Sequence, residues 1–467
     1  MHEDWKVVKL SQELFLTHCP NLPLVEAKDQ DNKEWFLLGV AIQTEIDKKN
    51  PATEIENSTT EQVKKIYKSW AGRWLLIGNE EIHLDCCGLL GCFYTTISGE
   101  KIVSSSLSIL NELGSPSDAI VELKWKSAVE WCPLPYTRFR QIRKLLPSQT
   151  LNLETFEIKP REFIKVVPNL SYEEIKEQLI ARFTCTLNNL ASLQKKVFLP
   201  LSSGRDSRLI LAAAYRSRIK VHTFTQENPL ISHADMVVPP RLAKLSGYSH
   251  QHVKMRKSSY SKVKEELYDL HTGEDSKDVE RVKFAYGQWS FCKSNQIVLR
   301  GGVFDLMKGT NRYRKLKDQN ELNIASMLKL NGNEKKYEAY LWDAYSEWKQ
   351  WVEDHPSDGL DWRDRFYVEQ RVAGWLSAIE QSLDLTDIES FYMANCHHVL
   401  SLFISIPDEK RRTFQSYEDL ISLMHPSLLK YPFNQRNSAF RDVQSRLKRF
   451  SRLTLKEQCS KVIKKIF

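Results

Sequence analysis

Residues 197–215, Val-Phe-Leu-Pro-Leu-Ser-Ser-Gly-Arg-Asp-Ser-Arg-Leu-Ile-Leu-Ala-Ala-Ala-Tyr, leave this chain few ways to fold. A short apolar run of buried-strand character is followed by the polar turn Ser202-Ser203-Gly204-Arg205-Asp206-Ser207 and then by good helix formers at 209–214. The order predicts strand, tight turn and helix. Gly204 lets the backbone approach a ligand closely, and Ser202, Ser203 and Ser207 offer hydroxyls. The helix start adds unpaired N–H groups at the positive end of a dipole, so the turn suits a phosphate. The plainer alternative is a surface turn in which Asp206 or Ser207 caps the helix. Neither a Walker A sequence nor Gly-x-Gly-x-x-Gly occurs in the chain.

The turn resembles the Ser-Gly-Gly-x-Asp-Ser pyrophosphate loop of the ATP pyrophosphatase group, and its Ser-Arg-Leu continuation is similar to that of asparagine-synthetase-related proteins. Ser203 stands where that loop has its middle Gly. The resemblance implies that Leu201, Ser202, Ser203, Gly204, Asp206 and Ser207 contact ATP. Residues 220–225 read as the next parallel strand, 234–246 as a helix and 296–299 as a further strand. Such alternation implies a doubly wound, mainly parallel α/β sheet with ligands at the carboxyl ends of its strands. Phe224 and Thr225 stand where the related synthetases have a Thr-Phe-Ser strand lining the adenine site, and Asp235 where they start the following helix.

Arg300-Gly301-Gly302-Val303-Phe304-Asp305-Leu306-Met307-Lys308-Gly309 resembles the synthetase segment Ser-Gly-x-Gly-x-Asp-Glu-x-x-Gly-Gly, matching at Gly301, Asp305 and Gly309. Gly301 and Gly302 are assigned to the nucleotide site with it. Two strand ends of one sheet, each followed by a Gly-bearing turn and an aspartate, can place Asp206 and Asp305 across a nucleotide's phosphates, where two carboxylates would hold Mg²⁺. Glu389 falls on the family glutamate when counted back from Pro407, and Glu380 is a second candidate acid. Arg411 and Arg412 lie where relatives place a basic residue that compensates the departing pyrophosphate.

The first part of the chain reads differently. Residues 72–77 form a strand, 78–80 a turn and 82–87 the return strand of a hairpin, with further short strands over 88–96 and 101–106. The succession is similar to the class II glutamine amidotransferase domain, and 139–149 resembles the linker that follows it. That resemblance implies an α+β, nucleophile-hydrolase-like domain over residues 1–165 and an ATP-pyrophosphatase domain with a helical C-terminal part over 166–467. Glutamine hydrolysis in that family needs a cysteine exposed at the mature N-terminus, its own amino group acting as base. Position 2 is His2 and the nearest cysteine is Cys19, so the domain is expected to lack that activity.

Nine cysteines, scattered and without a Cys-x-x-Cys pair, argue against a disulfide framework and a zinc site. His250 and His252 alternate on a strand without a third ligand nearby, which disfavours a metal there too. The net charge of +8 is too diffuse to imply nucleic acid. No apolar run reaches membrane-spanning length and no signal pattern opens the chain, so a cytoplasmic protein is expected. The tail 441–467 carries nine Lys or Arg among apolar residues; packing on its own protein is favoured over an anionic membrane surface.

The expected function is an ATP-dependent, AMP-forming carbon–nitrogen ligase. It would adenylate a small-molecule or peptide carboxylate, release pyrophosphate and transfer the acyl group to an amine: free ammonia, the product of a partner protein, or the substrate's own amino group, as in β-lactam synthetases and lasso-peptide cyclases. A non-catalytic nucleotide-binding scaffold is the alternative, which the substitutions at Ser203, Val303 and Leu306 allow.

Overall fold

The structure is a computed structural model, and it describes residues 4–11, 13–46, 50–114, 131–227, 231–254, 262, 295–331, 338–384 and 388–434. The basic tail, residues 441–467, lies outside the described residues.

The first part is built on a long antiparallel strand, Trp70–Gly78, buried along its whole length. Alternation explains how both faces are covered. Trp70, Trp74 and Leu76 pack with Ile55, Val63 and Tyr67, contributed by two short helices and the turn after them. Leu75 and Ile77 point the other way, into a core shared with Cys92 and with Tyr94 and Val103 of a second, three-stranded sheet. The first sheet has six strands in the order Ile158–Pro160, Gln149–Asn152, Glu81–Leu84, Trp70–Gly78, Glu34–Gln43, Leu24–Lys28. The expected hairpin is present, its two turn residues Asn79 and Glu80 both at positive φ, 49° and 62°. Its return strand stops at Leu84 because the buried Asp85 carboxylate accepts the N–H groups of Cys87, Leu89 and Leu90, which folds the chain into a turn. Lys6–Lys9 and Phe15–His18 form a separate hairpin that the sequence pattern did not suggest.

The second part holds a five-stranded parallel sheet in the order His250–Lys254, Val221–Glu227, Lys196–Pro200, Gln296–Leu299, Glu389–Phe391. The helix Tyr172–Ala191 leads into it, with Ser171 and Glu174 forming the capping box expected from their spacing. Leu179, Phe183 and Leu187 of that helix pack with Leu209, Ile210 and Ala213 of the helix Arg205–Ser217 and with Val197, Leu199, Ile297 and Leu299 of the sheet. On the opposite face Phe198, Phe224 and Val298 meet Leu383 and Ile388. The six-stranded and five-stranded sheets share a core, since Ile42, Ala71, Cys86 and Leu89 belong to the same cluster as Phe391 and Tyr392. Asn395 Nδ2 donates across the junction to Gly72 O at 2.6 Å and to Asp85 Oδ1 at 2.7 Å. Among the described residues no helix is long and apolar enough to cross a membrane.

Candidate functional site

Strand order fixes where a ligand can enter. From Lys196–Pro200 the chain moves outward in one direction to Val221–Glu227 and His250–Lys254, then returns to the other side for Gln296–Leu299 and Glu389–Phe391. The reversal falls between Lys196–Pro200 and Gln296–Leu299, and a crevice opens at the carboxyl ends of strands at such a point. The turns leaving these two strands are 201–204 and 300–304. Sequence-distant Asp206 and Asp305 therefore meet because of topology.

The first turn is tightly wired. Gly204 precedes the helix Arg205–Ser217 with φ −73° and ψ 177° and no side-chain cap, so the first amides of that helix have no side-chain acceptor. Ser202 and Ser207 face each other with Oγ atoms 3.0 Å apart, Ser202 N–H donates to Ser207 Oγ at 3.1 Å, and Gly204 N–H donates to Ser202 Oγ at 3.1 Å. Ser203 differs from its neighbours. Its N–H and its hydroxyl both donate to Asp235 Oδ1, at 2.8 and 2.7 Å, and the side chain is buried. Ser203 thus ties the turn to the helix His233–Leu245 rather than facing a ligand. Arg208, fully buried, donates to the carbonyls of Ser203 and Leu428 at 2.9 and 3.1 Å and stacks on Phe433 at 4.1 Å. Asn434 N–H reaches Ser203 O at 3.2 Å, so the segment 431–434 lies against the turn.

Asp206 and Asp305 are joined by a residue the sequence reading passed over. Lys308 Nζ donates to Asp206 Oδ2 at 2.7 Å and to Asp305 Oδ1 at 2.8 Å. Burial works against the Lys308 charge, but the two carboxylates outweigh it and its pKa stands above the ordinary lysine value. Tyr417 O–H donates to the other Asp206 oxygen at 2.7 Å or to Phe304 O at 2.8 Å. Gly301 lies against the same side chain: a Cβ there would sit 3.2 Å from Asp206 Cβ. The sequence signals for Lys308 were its i, i+3 spacing from Asp305 and the Gly309 that ends the four-residue helix Asp305–Lys308 in left-handed conformation.

A cavity of about 160 Å³ opens beside this cluster, lined by Asp206, Gly301, Gly302, Asp305 and one side of the wide, π-type helical stretch Tyr367–Leu376. Tyr367, Arg371 and Trp375 recur there at intervals of four, and Tyr367 O–H donates to Gly302 O at 2.7 Å. Arg371 lies over the Trp375 ring at 4.5 Å. The volume is below that of a pocket enclosing a whole drug-sized ligand, so it suits one end of a molecule.

The other predicted residues are distributed as follows. Phe224 is fully buried in the core cluster with Phe198 and Val298, and its carbonyl accepts Leu201 N–H at 2.8 Å. Thr225 Oγ1 donates to Leu201 O at 2.7 Å. Both support the Leu201 backbone, and neither side chain faces the crevice as a free wall. Glu380 is buried, its Oε1 accepting from Arg300 Nη2 at 2.9 Å and from Tyr392 O–H at 2.6 Å. Burial pushes its pKa up, but Arg300 and Arg73 outweigh that and hold it below the usual carboxylate value. It anchors the start of the second turn. Glu389 is not brought to the site: it pairs in register with Ile297, which aligns with Val197, and it bonds Lys195 at the amino end of the sheet. Arg411 is fully buried, donating to Leu306 O at 2.7 Å and Asp364 Oδ2 at 2.8 Å, so it braces the second turn from behind. Arg412 is exposed, 5.5 Å from the Tyr313 ring.

Asp206 and Asp305 are the ligands expected for Mg²⁺. As folded, they surround the ammonium of Lys308, and among the described residues no group of three His, Cys, Asp or Glu converges. The donor set fits a lysine rather than a resident divalent ion. Cys86, Cys87 and Cys92 are buried in the cores, with burial raising their thiol pKa values.

No family model and no curated protein sequence matches the chain. Among solved structures it is similar over part of its length to NMN synthetase from Francisella tularensis, at 14% identity and a TM-score of 0.19, covering 30% of this chain and 58% of that one. It is also similar to glutamine-dependent NAD+ synthetase from Acinetobacter baumannii in complex with adenosine diphosphate, at 17% identity and a TM-score of 0.22, covering 36% of this chain and 32% of that one.

Proposed function

We propose that this chain is an ATP-dependent ligase that activates a carboxylate as an acyl-adenylate and passes the acyl group to an amine. The observation that supports it is the meeting of the turns 201–206 and 300–305 at the reversal point of a parallel sheet, with a small cavity beside them. In this reading the β- and γ-phosphates of ATP lie against Ser202, Gly204, Ser207 and the first amides of the helix Arg205–Ser217. A substrate carboxylate oxygen attacks the α-phosphorus, the bond to the β-phosphate breaks and pyrophosphate leaves. The amine nitrogen then attacks the acyl carbon, AMP departs with the carbon–oxygen bonding pair, and the amine loses its proton.

Mg²⁺ enters this reading on the nucleotide, as part of the substrate. Arg371, laid on Trp375 at the cavity, offers positive charge to the substrate's carboxylate or to the leaving phosphates. The amine is ammonia, a partner protein's product or the substrate's own amino group; the last would make the enzyme a peptide macrocyclase or a β-lactam-type cyclase. The first part of the chain contributes through the core it shares with the second. Nucleic acid has no part in this reading, and a cytoplasmic setting supplies its ATP.

A non-catalytic nucleotide-binding scaffold is favoured by one specific observation: the Ser203 amide and hydroxyl are taken up by Asp235. ATP–pyrophosphate exchange over a panel of carboxylates and amino acids separates the two. Exchange with some member of the panel, lost in Asp206→Asn at unchanged melting temperature, supports the ligase. ATP binding without exchange for any carboxylate supports the scaffold, and absence of both overturns the nucleotide site.

A further inference from the structure

We propose that Lys308 is a built-in cation that holds the place between Asp206 and Asp305 which a bridging divalent ion would need. Lys308 Nζ lies 2.7 Å from Asp206 Oδ2 and 2.8 Å from Asp305 Oδ1. Mg²⁺ binds carboxylate oxygens at about 2.0–2.1 Å. An ion bridging the same two oxygens would overlap the ammonium, so one excludes the other. The lysine is also constrained on its remaining sides: Tyr417 presents its ring 5.6 Å from Nζ, and the helix ends one residue later at Gly309, φ 55°. The Asp206 carboxylate that receives it is fixed by the Tyr417 hydroxyl at 2.7 Å and by Gly301 packed against its Cβ.

This inference rests on the phosphate-binding reading of the turn and adds to it a mode of charge compensation. Phosphates arriving at Ser202 and Ser207 meet a lysine ammonium already seated on the two aspartates, a point charge of the kind that commonly binds phosphate. Nucleotide then binds without a metal ion on Asp206 and Asp305, and any divalent ion present is carried by the phosphates themselves.

Mn²⁺ electron paramagnetic resonance on the full chain, without nucleotide, tests this apart from any activity. Wild type is expected to leave the free Mn²⁺ signal undiminished, whereas Lys308→Met, which uncovers both carboxylates, binds one Mn²⁺ per chain at least about tenfold more tightly, as removing a cation from between two anions requires. Lys308→Arg keeps the positive charge and stays silent. Stoichiometric Mn²⁺ binding by wild type that Asp206→Asn abolishes overturns the proposal, and this arm decides even where Lys308→Met does not fold. Displacement of a fluorescent ATP analogue is measured in parallel. Wild type is expected to bind it in EDTA within about threefold of its affinity in Mg²⁺, and Lys308→Met to lose the metal-free binding. ATP bound by wild type only when Mg²⁺ is present overturns the proposal, whereas no ATP binding under any condition removes the nucleotide reading and leaves the Mn²⁺ contrast to decide the role of Lys308.

Discussion

At the scale of single residues, burial separates groups that the sequence presents as equals. Arg411 and Arg412 are adjacent basic residues, yet Arg411 is fully buried against Asp364 while Arg412 is exposed. Removing one partner of a buried pair leaves an uncompensated charge, so Arg411→Leu is expected to lower unfolding free energy by about 3–5 kcal/mol in denaturant titration. Most of that loss should return in the double variant with Asp364→Leu, where no charge is stranded. Arg412→Ala should leave the denaturation midpoint where it is; a shift as large as that of Arg411→Leu would show that exposure is not what distinguishes them. A like contrast divides the two acids, since Glu380 sits under the second turn with Arg300 whereas Glu389 bonds Lys195 at the far end of the sheet.

At the scale of elements, local chemistry places turns and caps accurately. The hairpin turn Asn79-Glu80 carries two positive φ values, the geometry that matches the twist of the flanking strands. Asn adopts it readily, but the exposed Glu80 bears the left-handed penalty of about 1–2 kcal/mol. Glu80→Gly is therefore expected to stabilise the protein by about 0.5–1 kcal/mol, less than the full penalty because glycine also loosens the unfolded chain. A lower midpoint for that variant would mean that the Glu80 side chain makes a contact worth more than the backbone strain. The helix Tyr172–Ala191 and the strand Lys196–Pro200 were legible for the same reason: capping box, apolar spacing and β-branched content act within a few residues. The strand Glu389–Phe391 was harder to read, because three residues carry too little periodicity and its place at the sheet edge comes from pairing with Gln296–Leu299.

At the scale of the whole molecule, the two parts share one core, and the residues at their junction set how stability responds to acid. His397 is fully enclosed, its ring 6.1 Å from Tyr67 and 6.4 Å from Phe163, and neither ring nitrogen has a hydrogen-bond partner among the described residues. Burial, with Arg161 and other cations adding to it, drives its pKa well below 6.5; His83 is lowered too, burial prevailing over Glu81. Both are neutral when folded and accept protons once unfolded. Below pH of about 6.5 the unfolded state binds more protons, so stability is full above that value and falls as the pH drops. Chemical denaturation between pH 7.5 and pH 5 should show this fall, and His397→Phe should flatten part of it; an unchanged slope would mean that His397 is not the group responsible. The sequence by itself determined the strand, turn and helix at 197–215, the capped helix before it and the hairpin, since each depends on neighbours within a few residues. Only the tertiary structure decided that Asp206 and Asp305 share Lys308, that Ser203 is committed to Asp235 and that Glu389 lies at the wrong end of the sheet. Those outcomes follow from strand order and register, which bring together residues 32, 102 and 194 positions apart in the chain and leave no trace in the periodicity around any one of them.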